Sequence, residues 1–428
     1  MKPLESFTKT KKKPWEVEGV EWREVRLGDK IVSEIIMGQS PPSLSYNRDG
    51  KGFPFLQGNK EFGRFYPKNV MFTTDPKKIA QKGYVLLSVR APVGDVNIAD
   101  KEYCIGRGLA AIRFNGEPKY LFYLFISIKE ELEELGGRGT TFKAITKNHL
   151  KNLKIPLPFR NGKPDLETQK KIVEYIEANF TRIDKILEKK KKELEWLDEL
   201  WESVLEEAFK PKEGEDWREV RLKELVEDVK SGFALSKQKR RKIDLNNGIP
   251  QLRPYNIANW NKISLSELTF IPKEMEGVED YFINYNDVLF NNTNSIELVG
   301  RAAVFKELSG NYTYSNHITR IRVNKQRITP DFLSWYLNFL WSKGFFYLKA
   351  TKWIGQAGIS NKKLLSTKIP LPFRNNQPDL EKQKEIANHL DNVYEKIKTL
   401  KEKIQSQITQ LEEMKESILD EVFSHDGK

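Results

Sequence analysis

The feature that most constrains the fold of this chain is a stretch that occurs twice. Residues 155–166 read IPLPFRNGKPDL and residues 369–380 read IPLPFRNNQPDL, with ten of the twelve positions identical. Each copy continues into a long, charged segment that contains no proline and ends at Phe209 or Phe423. Since position 155 matches position 369, the offset between the copies is 214 residues. A repeat of this length indicates a duplicated unit rather than one fold with a tail.

A second repeat marks the beginning of each unit. The sequence WREVRL starts at Trp22 and returns at Trp217, an offset of 195 residues. Because this offset is smaller than 214, the second intervening region is 19 residues longer than the first. We divide the chain into a flexible basic arm (1–14), a first variable domain (15–154), a repeated linker and long helix (155–210), a second variable domain (211–368) and a second linker and long helix (369–428).

The two charged segments predict two long helices. Asp165 and Asp379 each follow a proline and suit the N-cap position of a helix. Apolar residues then recur at alternating steps of three and four over about five heptads, which predicts a coiled coil with helices about 65 Å long. Lys190 interrupts the apolar seam of the first helix, and Lys401 and Lys415 interrupt that of the second. The pattern allows the two helices to pair within one chain, and it also allows pairing between two copies.

The variable domains mix short β-rich runs with turns and aromatic helical stretches. We predict strands at 85–89, 110–114, 288–290 and 318–323, and helices at 119–135 and 330–348. Each domain is long enough to bury a core of its own. The predicted fold class is α+β (α/β-like), with two globular domains separated by two long helices that form an antiparallel intramolecular coiled coil.

The composition favours a polyanionic partner. The formal net charge is +12, and the alternative is a basic protein that binds no polyanion. A single cysteine, Cys104, excludes a disulfide framework and a thiolate zinc site. The four histidines have no metal-ligand spacing, and no apolar run reaches the length that spans a bilayer. We therefore expect a cytoplasmic protein without a membrane partner or a metal site.

No motif in the sequence predicts catalysis. Residues 40–43 (SPPS) lack the Asn or Asp and the aromatic residue that adenine methyltransferases place around a flipped base. Residues 106–111 fit G-x-G-x-x-A, but a strand-like run follows where a dinucleotide-binding motif requires a helix. The chain has no phosphate-binding loop of the G-x-x-x-x-G-K-[ST] type. We expect no catalytic residue on this chain and infer that it binds and positions.

Both variable domains contain the side chains that sequence-specific DNA binding requires. Arg, Lys, Asn and Gln contact base edges, and further cations contact phosphates. The candidates in the first domain are Gln39, Ser40, Tyr46, Arg48, Gln57, Asn59, Arg64, Arg90, Arg107, Thr140 and Lys143. Those in the second domain are Lys237, Lys239, Arg240, Arg241, Arg253, Tyr255, Asn256, Asn292, Asn294, Lys352 and Gln356. Each candidate, taken alone, could equally be a solvated residue or a turn former.

The two domains share an apolar framework but differ in polar side chains. FPFLQGN at residues 53–59 lies opposite IPQLRPYN at residues 249–256. Two copies of one scaffold with different polar loops predict two different half-sites. The expected target is therefore split and asymmetric double-stranded DNA.

The whole layout resembles the specificity subunit of type I restriction–modification enzymes. Two variable domains are each followed by a repeated helix, which begins with PLPF and then QKKI or QKEI. The stretches that resemble such subunits are residues 38–43 (GQSPPS), 55–59 (FLQGN), 88–94 (SVRAPVG), 289–295 (LFNNTNS) and 297–300 (ELVG). The resemblance covers the chain after residue 15, and it rests on the layout rather than on any single motif.

The resemblance implies a function. Each variable domain would be a target-recognition domain that reads one half of a bipartite sequence in the major groove, and the helix pair would fix the number of unread base pairs between the halves. Two methyltransferase subunits and the restriction subunits would dock on the chain. S-adenosylmethionine, ATP and magnesium would belong to those partners, so this chain would bind no cofactor and would not be an enzyme by itself.

Three alternatives remain open at this point. The chain could be a stand-alone two-headed DNA-binding protein with an architectural or regulatory role. It could be a fusion of a methyltransferase with a specificity subunit, which the missing catalytic motifs disfavour. It could also be a coiled-coil scaffold with no role on DNA.

Overall fold

The computed structural model describes residues 13, 15–68, 71–137, 144–235, 248–258, 260–307 and 309–424. The chain divides into two compact units, one made of residues 1–191 and 405–428 and the other of residues 192–404. The predicted basic arm, residues 1–14, lies outside the described residues except for Lys13. No helix in the described ranges is long and apolar enough to cross a membrane.

The described residues of the first unit form three sheets and three short α-helices, together with part of a long helix. Its strands are β1 (Glu21–Arg26), β2 (Ser33–Met37), β3 (Tyr46–Asn47), β4 (Phe53–Leu56), β5 (Met71–Thr73), β6 (Ile79–Ala80), β7 (Val85–Ser88), β8 (Val96–Ile98), β9 (Tyr103–Ile105), β10 (Leu109–Phe114), β11 (Lys154–Arg160) and β12 (Lys163–Pro164). Its helices are α1 (Pro118–Ser127), α2 (Lys129–Gly136), α3 (Lys147–Asn152) and the first part of α4 (Leu166–Ala208). The sheet orders are β1-β11-β12, β2-β10-β7-β8 and β3-β5-β4-β9-β6.

Two sheets of the second unit have the same strand order as the first two sheets of the first unit. Its strands are β13 (Asp216–Arg221), β14 (Val226–Ser231), β15 (Gly248–Leu252), β16 (Thr269–Pro272), β17 (Val288–Asn291), β18 (Thr293–Asn294), β19 (Ala302–Val304), β20 (Thr313–Tyr314), β21 (Ile318–Val323), β22 (Thr351–Trp353), β23 (Gln356–Gly358), β24 (Lys368–Arg374) and β25 (Gln377–Pro378). Its helices are α5 (Pro330–Ser342), α6 (Phe345–Lys349), α7 (Asn361–Leu365) and α8 (Leu380–Phe423), whose last turns belong to the first unit. The sheet orders are β13-β24-β25, β14-β21-β17-β19, β16-β15-β20 and β18-β23-β22.

The two sequence repeats pair with each other inside each unit. Strand β1 carries the WREVR repeat and lies antiparallel to β11, which carries the IPLPFR repeat, with Trp22 opposite Pro158. Strands β13 and β24 pair in the same register, with Trp217 opposite Pro372. The segment that we predicted as a linker therefore begins as a strand of the fold, and it closes the unit onto its own beginning.

A buried glutamine at the start of each long helix fixes the next layer. The side-chain oxygen of Gln169 accepts a hydrogen bond from the backbone N–H of Glu117 at 2.9 Å, and that of Gln383 accepts one from Thr329 at 2.8 Å. Glu117 and Thr329 are the N-cap residues of α1 and α5, the largely buried helices of the two units. Both glutamines are fully buried, so the repeated helix holds the start of the core helix in each unit.

The long helices pair antiparallel within each unit. In the first unit Ile172, near the start of α4, shares a core with Leu419, near the end of α8. In the second unit Trp201, near the end of α4, packs its ring 5.4 Å from that of Tyr394, nearer the start of α8. This confirms the prediction of pairing within one chain.

The lysines that interrupt the apolar seam of α8 form ion pairs across it. Lys415 pairs with Asp184 in the first unit, and Lys401 pairs with Asp198 in the second. Although partial burial opposes ionisation, hydrogen bonds from Lys415 and Arg64 hold the pKa of Asp184 below its usual value. The interruptions are therefore charged contacts between α4 and α8.

The shorter predicted elements are confirmed with two corrections. Strands β7, β10, β17 and β21 lie where the sequence predicts them. The predicted helix at 119–135 is two helices, because Ile128 leaves helical geometry at φ −100° and ψ 23°. The predicted helix at 330–348 also breaks in two, because Gly344 adopts a left-handed conformation with φ 71°.

Glu215, directly before β13 in the second unit, makes several contacts through its one carboxylate. It accepts hydrogen bonds from the backbone N–H of Lys212 at 3.1 Å and from the indole N–H of Trp217 at 3.0 Å. It also pairs with Lys382 on α8 at 2.9 Å. The hydrogen bond from Lys382, followed by those from Lys212 and Trp217, lowers the pKa of Glu215 to about 2.

We expect Glu215→Gln to lower the free energy of unfolding at pH 7 by about 1 kcal/mol, a value reduced for solvent screening. The folded pKa lies below the ordinary value of 4.5, so this stabilisation is present above pH 4.5 and is lost as the pH falls toward 2. Urea unfolding of both proteins between pH 7 and pH 3 measures it. The exposed neighbour Glu213, changed to Gln, is the control. A difference between Glu215→Gln and wild type that is constant over this range would contradict the prediction.

Candidate nucleic-acid interface

Four loops of the first unit meet at one edge of its sheets. The backbone N–H of Gly106 donates to the carbonyl of Leu56 at 2.8 Å, and that of Val89 donates to Gly108 at 2.9 Å. Main-chain bonds thus connect the ends of β4, β7 and β9 to the start of β10. We call this surface the first loop edge, defined as residues 38–40, 57–59, 89–90 and 106–108.

The first loop edge brings together predicted residues from separate parts of the chain. Gln39, Gln57, Arg90 and Arg107 are all exposed there. The hydroxyl of Ser40 instead accepts a hydrogen bond from the backbone N–H of Arg107 at 3.1 Å, so it supports the loop that carries this arginine. Two amides and two guanidinium groups on one edge are the side-chain types that contact purine edges in the major groove.

The second unit builds the same backbone frame. The N–H of Ser315 donates to Leu252 at 2.9 Å, and that of Asn292 donates to His317 at 3.0 Å, as Gly106 and Val89 do in the first unit. A further matched pair joins Ile359 to Asn292, as Ile145 is joined to Val89. We call this surface the second loop edge, defined as residues 232–234, 253–255, 292–293 and 315–317.

The side chains differ at equivalent positions of the two edges. The matched hydrogen bonds place Phe233 where the first edge has Gln39, Arg253 where it has Gln57, Thr293 where it has Arg90, and Asn316 where it has Arg107. The common frame is therefore made by the main chain, and the two edges present different donors and acceptors.

The second loop edge also carries a histidine whose charge state is set by its surroundings. Burial, and then the positive charge of Arg253, lower the pKa of His317 below its usual value. His317 is therefore neutral at pH 7, and Arg253 supplies the positive charge of this part of the edge.

For Asn256 and Asn292 the structure argues against the predicted contact with bases. Asn256 is buried, its side-chain N–H groups donate to the carbonyls of Ser264 and Glu267, and its oxygen accepts from the backbone N–H of Arg253. Asn292 is also buried, and its side-chain N–H groups donate to the carbonyl of Asn316 and the hydroxyl of Thr319. Both side chains hold loops together from inside, because asparagine can bond to nearby main chain.

Three further candidates make contacts within the first unit. Asn59 donates to the carboxylate of Asp95 at 2.6 Å. Arg64 forms an ion pair of 2.6 Å with Asp184 on α4. The hydroxyl of Tyr46 donates to a backbone carbonyl at 2.9 Å, and its ring packs against a buried phenylalanine. Arg48 is exposed in the turn after β3.

A small sheet collects three candidates of the second unit. Strand β18 pairs with β23, and β23 pairs with β22, so Asn294 and Lys352 both lie opposite Ala357. Gln356 lies next to Ala357 on β23 and is exposed, as is Lys352.

Tyr255, another candidate of the second unit, is 52% exposed, and its hydroxyl is 3.1 Å from that of Thr269.

Six candidates lie outside the described residues. They are Thr140, Lys143, Lys237, Lys239, Arg240 and Arg241. In the part of the chain that the structure describes, no group of three or more His, Cys, Asp or Glu side chains is arranged to hold a metal ion.

Sequence reasoning missed Phe233 and Asn316 because insertions shift the internal alignment. Gly38 corresponds to Gly232 at an offset of 194 residues, whereas Ile145 corresponds to Ile359 at an offset of 214. The offset therefore grows along the second domain in several steps. Only the matched hydrogen bonds show where each step occurs.

We expect Gly38→Ala to damage the first loop edge. A Cβ atom at Gly38 would lie 2.1 Å from the carbonyl oxygen of Gly106, so the loops must separate. The cost of such overpacking is about 2–3 kcal/mol, which lowers the Tm of a unit this size by roughly 5–10 °C. Thermal unfolding of the full chain measures the change. Gly58→Ala is the matched control, because nothing lies within 4 Å of its Cβ position; equal losses in both variants would contradict the prediction.

Comparisons with known proteins agree with this architecture. The family model described as type I restriction modification DNA specificity domain matches residues 19–196 and again residues 214–410. The putative type I restriction enzyme MjaX specificity subunit of Methanocaldococcus jannaschii is 47% identical over 188 residues, which are 43% of this chain and 42% of that protein. The type I restriction enzyme MjaVIII specificity subunit of the same organism is 25% identical over 417 residues, 90% of this chain and 89% of that protein.

Two solved structures have a similar fold. One comes from work on the structural basis underlying complex assembly and conformational transition of the type I R-M system. It has a TM-score of 0.72 at 22% sequence identity, and the match covers 94% of this chain and 97% of that chain. The HsdS subunit from Thermoanaerobacter tengcongensis has a TM-score of 0.58 at 22% identity, with 96% and 98% covered. Because the family model matches most of the chain in two copies, this protein belongs to the family of type I restriction modification DNA specificity domains.

Proposed function

We propose that this chain is the non-catalytic specificity subunit of a type I restriction–modification system and that it reads an asymmetric bipartite target in duplex DNA. The observation that carries the proposal is the pair of loop edges with one backbone frame and different side chains. The same frame would approach each half-site in the same way. The different side chains would select different bases.

The exposed side chains suit direct contact with bases in the major groove. Arginine can bond to both acceptors of guanine, and glutamine or asparagine can bond to both polar groups on the major-groove edge of adenine. The first loop edge offers the exposed Gln39, Gln57, Arg90 and Arg107, whereas the second carries the half-buried Arg253 and the exposed Asn316. The formal net charge of +12 would add attraction to phosphates that does not depend on sequence.

We assign the repeated elements to spacing and docking. In the proposed complex, α4 and α8 hold the two domains at a fixed separation on DNA, and two methyltransferase subunits and the restriction subunits bind the chain. S-adenosylmethionine, ATP and magnesium bind to those partner subunits and not to this chain. The duplication supports this assignment, since two similar surfaces can bind two copies of one partner.

Expression with the methyltransferase subunit tests the proposal. We expect adenine methylation at a split, asymmetric genomic motif only when both proteins are present, and no methyl transfer from S-adenosylmethionine by this chain alone. Gln57→Ala combined with Arg90→Ala should relax one half of the motif by about 10-fold or more and leave the other half unchanged. Methyl transfer by the purified chain alone would overturn the proposal.

A stand-alone two-headed DNA-binding protein is the second candidate function. The paired loop edges support this function as well as the first one, because they are evidence for DNA binding and not for binding of partner subunits. The two functions separate in the same experiment. A chain that binds a split motif but neither co-purifies with the methyltransferase subunit nor directs methylation would be a stand-alone protein.

Lengthening both helices tests their proposed role in spacing. We would insert four residues after Lys191 in α4 and four after Ile404 in α8, where the two units divide. Four helical residues add about 6 Å, on the order of two base pairs. The methylated motif should gain unread base pairs and keep both half-site sequences. Insertion of the same residues in the turn at Gly162 is the control, and a changed half-site sequence would count against the spacing role.

A further inference from the structure

The second unit carries an apolar hairpin tip beside its predicted DNA-binding residues. Strands β22 and β23 are joined by a two-residue turn, Ile354 and Gly355, with Trp353 opposite Gln356. The side chain of Ile354 is fully exposed, and Trp353 is 58% exposed. A large apolar side chain that is fully exposed at a hairpin tip leaves apolar surface in water and gains no internal contact, so it suits a surface that buries it on binding.

The hairpin is held in place from several sides. Its outer sheet partner is β18, which follows Asn292 of the second loop edge. The Lys363 ammonium group donates to the carbonyl of Lys349 at 2.8 Å and to the hydroxyl of Thr351 at 3.1 Å, bracing the base of the hairpin. Gly355 has φ 74°, which suits glycine in the turn. The tip is therefore presented by an ordered support.

Trp353 is packed against the hairpin and does not share the role of Ile354. A Cβ atom at Gly358 would lie 2.9 Å from the six-membered ring of Trp353, so the indole covers this glycine. The absence of a side chain at Gly358 provides the space for the ring. Ile354, beyond it, has no such cover.

Two lysines on the N-terminal side of the tip indicate which partner it meets. The ammonium group of Lys352 lies 4.1 Å from the ring centre of Tyr347, and that of Lys349 lies 4.1 Å from that of Phe345. Both lysines are exposed. An apolar tip next to exposed lysines suits the major groove, in which a two-stranded ribbon fits and phosphates line both sides.

We propose that Ile354 contacts the 5-methyl group of a thymine in the major groove of the second half-site. The inference rests on the proposed function and adds a specificity-determining residue to it. Thymine is the one base that presents a methyl group in this groove, and apolar side chains recognise it by contact. The tip would therefore supply selectivity that the polar side chains of the second loop edge do not.

Replacement of thymine by uracil tests the contact, because uracil keeps the hydrogen-bonding groups and lacks only the methyl group. The probe is a duplex that carries the methylated motif, with each thymine of the second half-site changed singly. We expect the wild-type full chain to bind at least one uracil duplex about fourfold more weakly, the effect of one buried methyl group. Ile354→Ala should bind the thymine duplex more weakly by at least that factor and show no further loss with uracil.

Matched variants separate this contact from other effects. Leu348, on α6, is apolar and 79% exposed, and Leu348→Ala should bind like wild type and keep the sensitivity to uracil. Lys352→Ala should weaken binding to all duplexes alike and reduce the salt dependence, as loss of a phosphate contact does. Ile354→Ala should leave the salt dependence and the Tm unchanged.

Three results would overturn the inference. These are a second half-site without thymine, an Ile354→Ala variant that keeps the uracil sensitivity of wild type, and a variant that binds DNA normally but no longer co-purifies with the methyltransferase subunit. The last would make the tip a protein contact. If the wild-type chain instead bound no split motif, the proposed function itself would fail, so the two failures are distinct.

Discussion

The antiparallel pairing of the two repeated segments is the constraint on which each unit depends. Strand β1 lies far from β11 in sequence, and β13 lies far from β24, yet each pair is hydrogen-bonded along six residues in the same register. The variable region between them must therefore leave and return at adjacent points. Once this closure is made, the buried glutamine at the start of α4 or α8 positions the next helix of the core. Long-range strand pairing carries a loop-closure cost, and the apolar core that each unit buries offsets it.

The division of work between main chain and side chain explains how one scaffold can present two chemistries. The loop edges are assembled by backbone hydrogen bonds, which any residue except proline can make. Close approaches at Gly38 and Gly232 require the absence of a side chain, since a Cβ atom would lie 2.1 Å and 2.3 Å from the nearest carbonyl oxygen. The outward positions have no such constraint. Gln57 and Arg253 can therefore differ while the loops around them keep the same path.

Local patterns predicted local structure well and long-range contacts poorly. Asp165 and Asp379 were predictable helix caps, and the heptad seam identified the helix faces that the structure buries. Pairing of the two repeats was not predictable, because nothing in either strand specifies its distant partner. The roles of Asn256 and Asn292 were also hidden, because asparagine suits a base edge and a buried turn equally well. For the candidate site, exposed residues such as Arg90 and Arg107 followed from the sequence, whereas their convergence required the sheet.

The charged contacts across the helix seam limit how the two helices can align. A seam of apolar side chains alone offers many alignments of nearly equal energy, each one heptad from the next. Lys415 with Asp184, and Lys401 with Asp198, reduce that degeneracy, because a slip of one heptad would separate both of these ion pairs. The two helices are consequently expected to keep one alignment and not to slide past each other by a heptad. Each ion pair therefore favours a single alignment of α4 and α8 within its own unit.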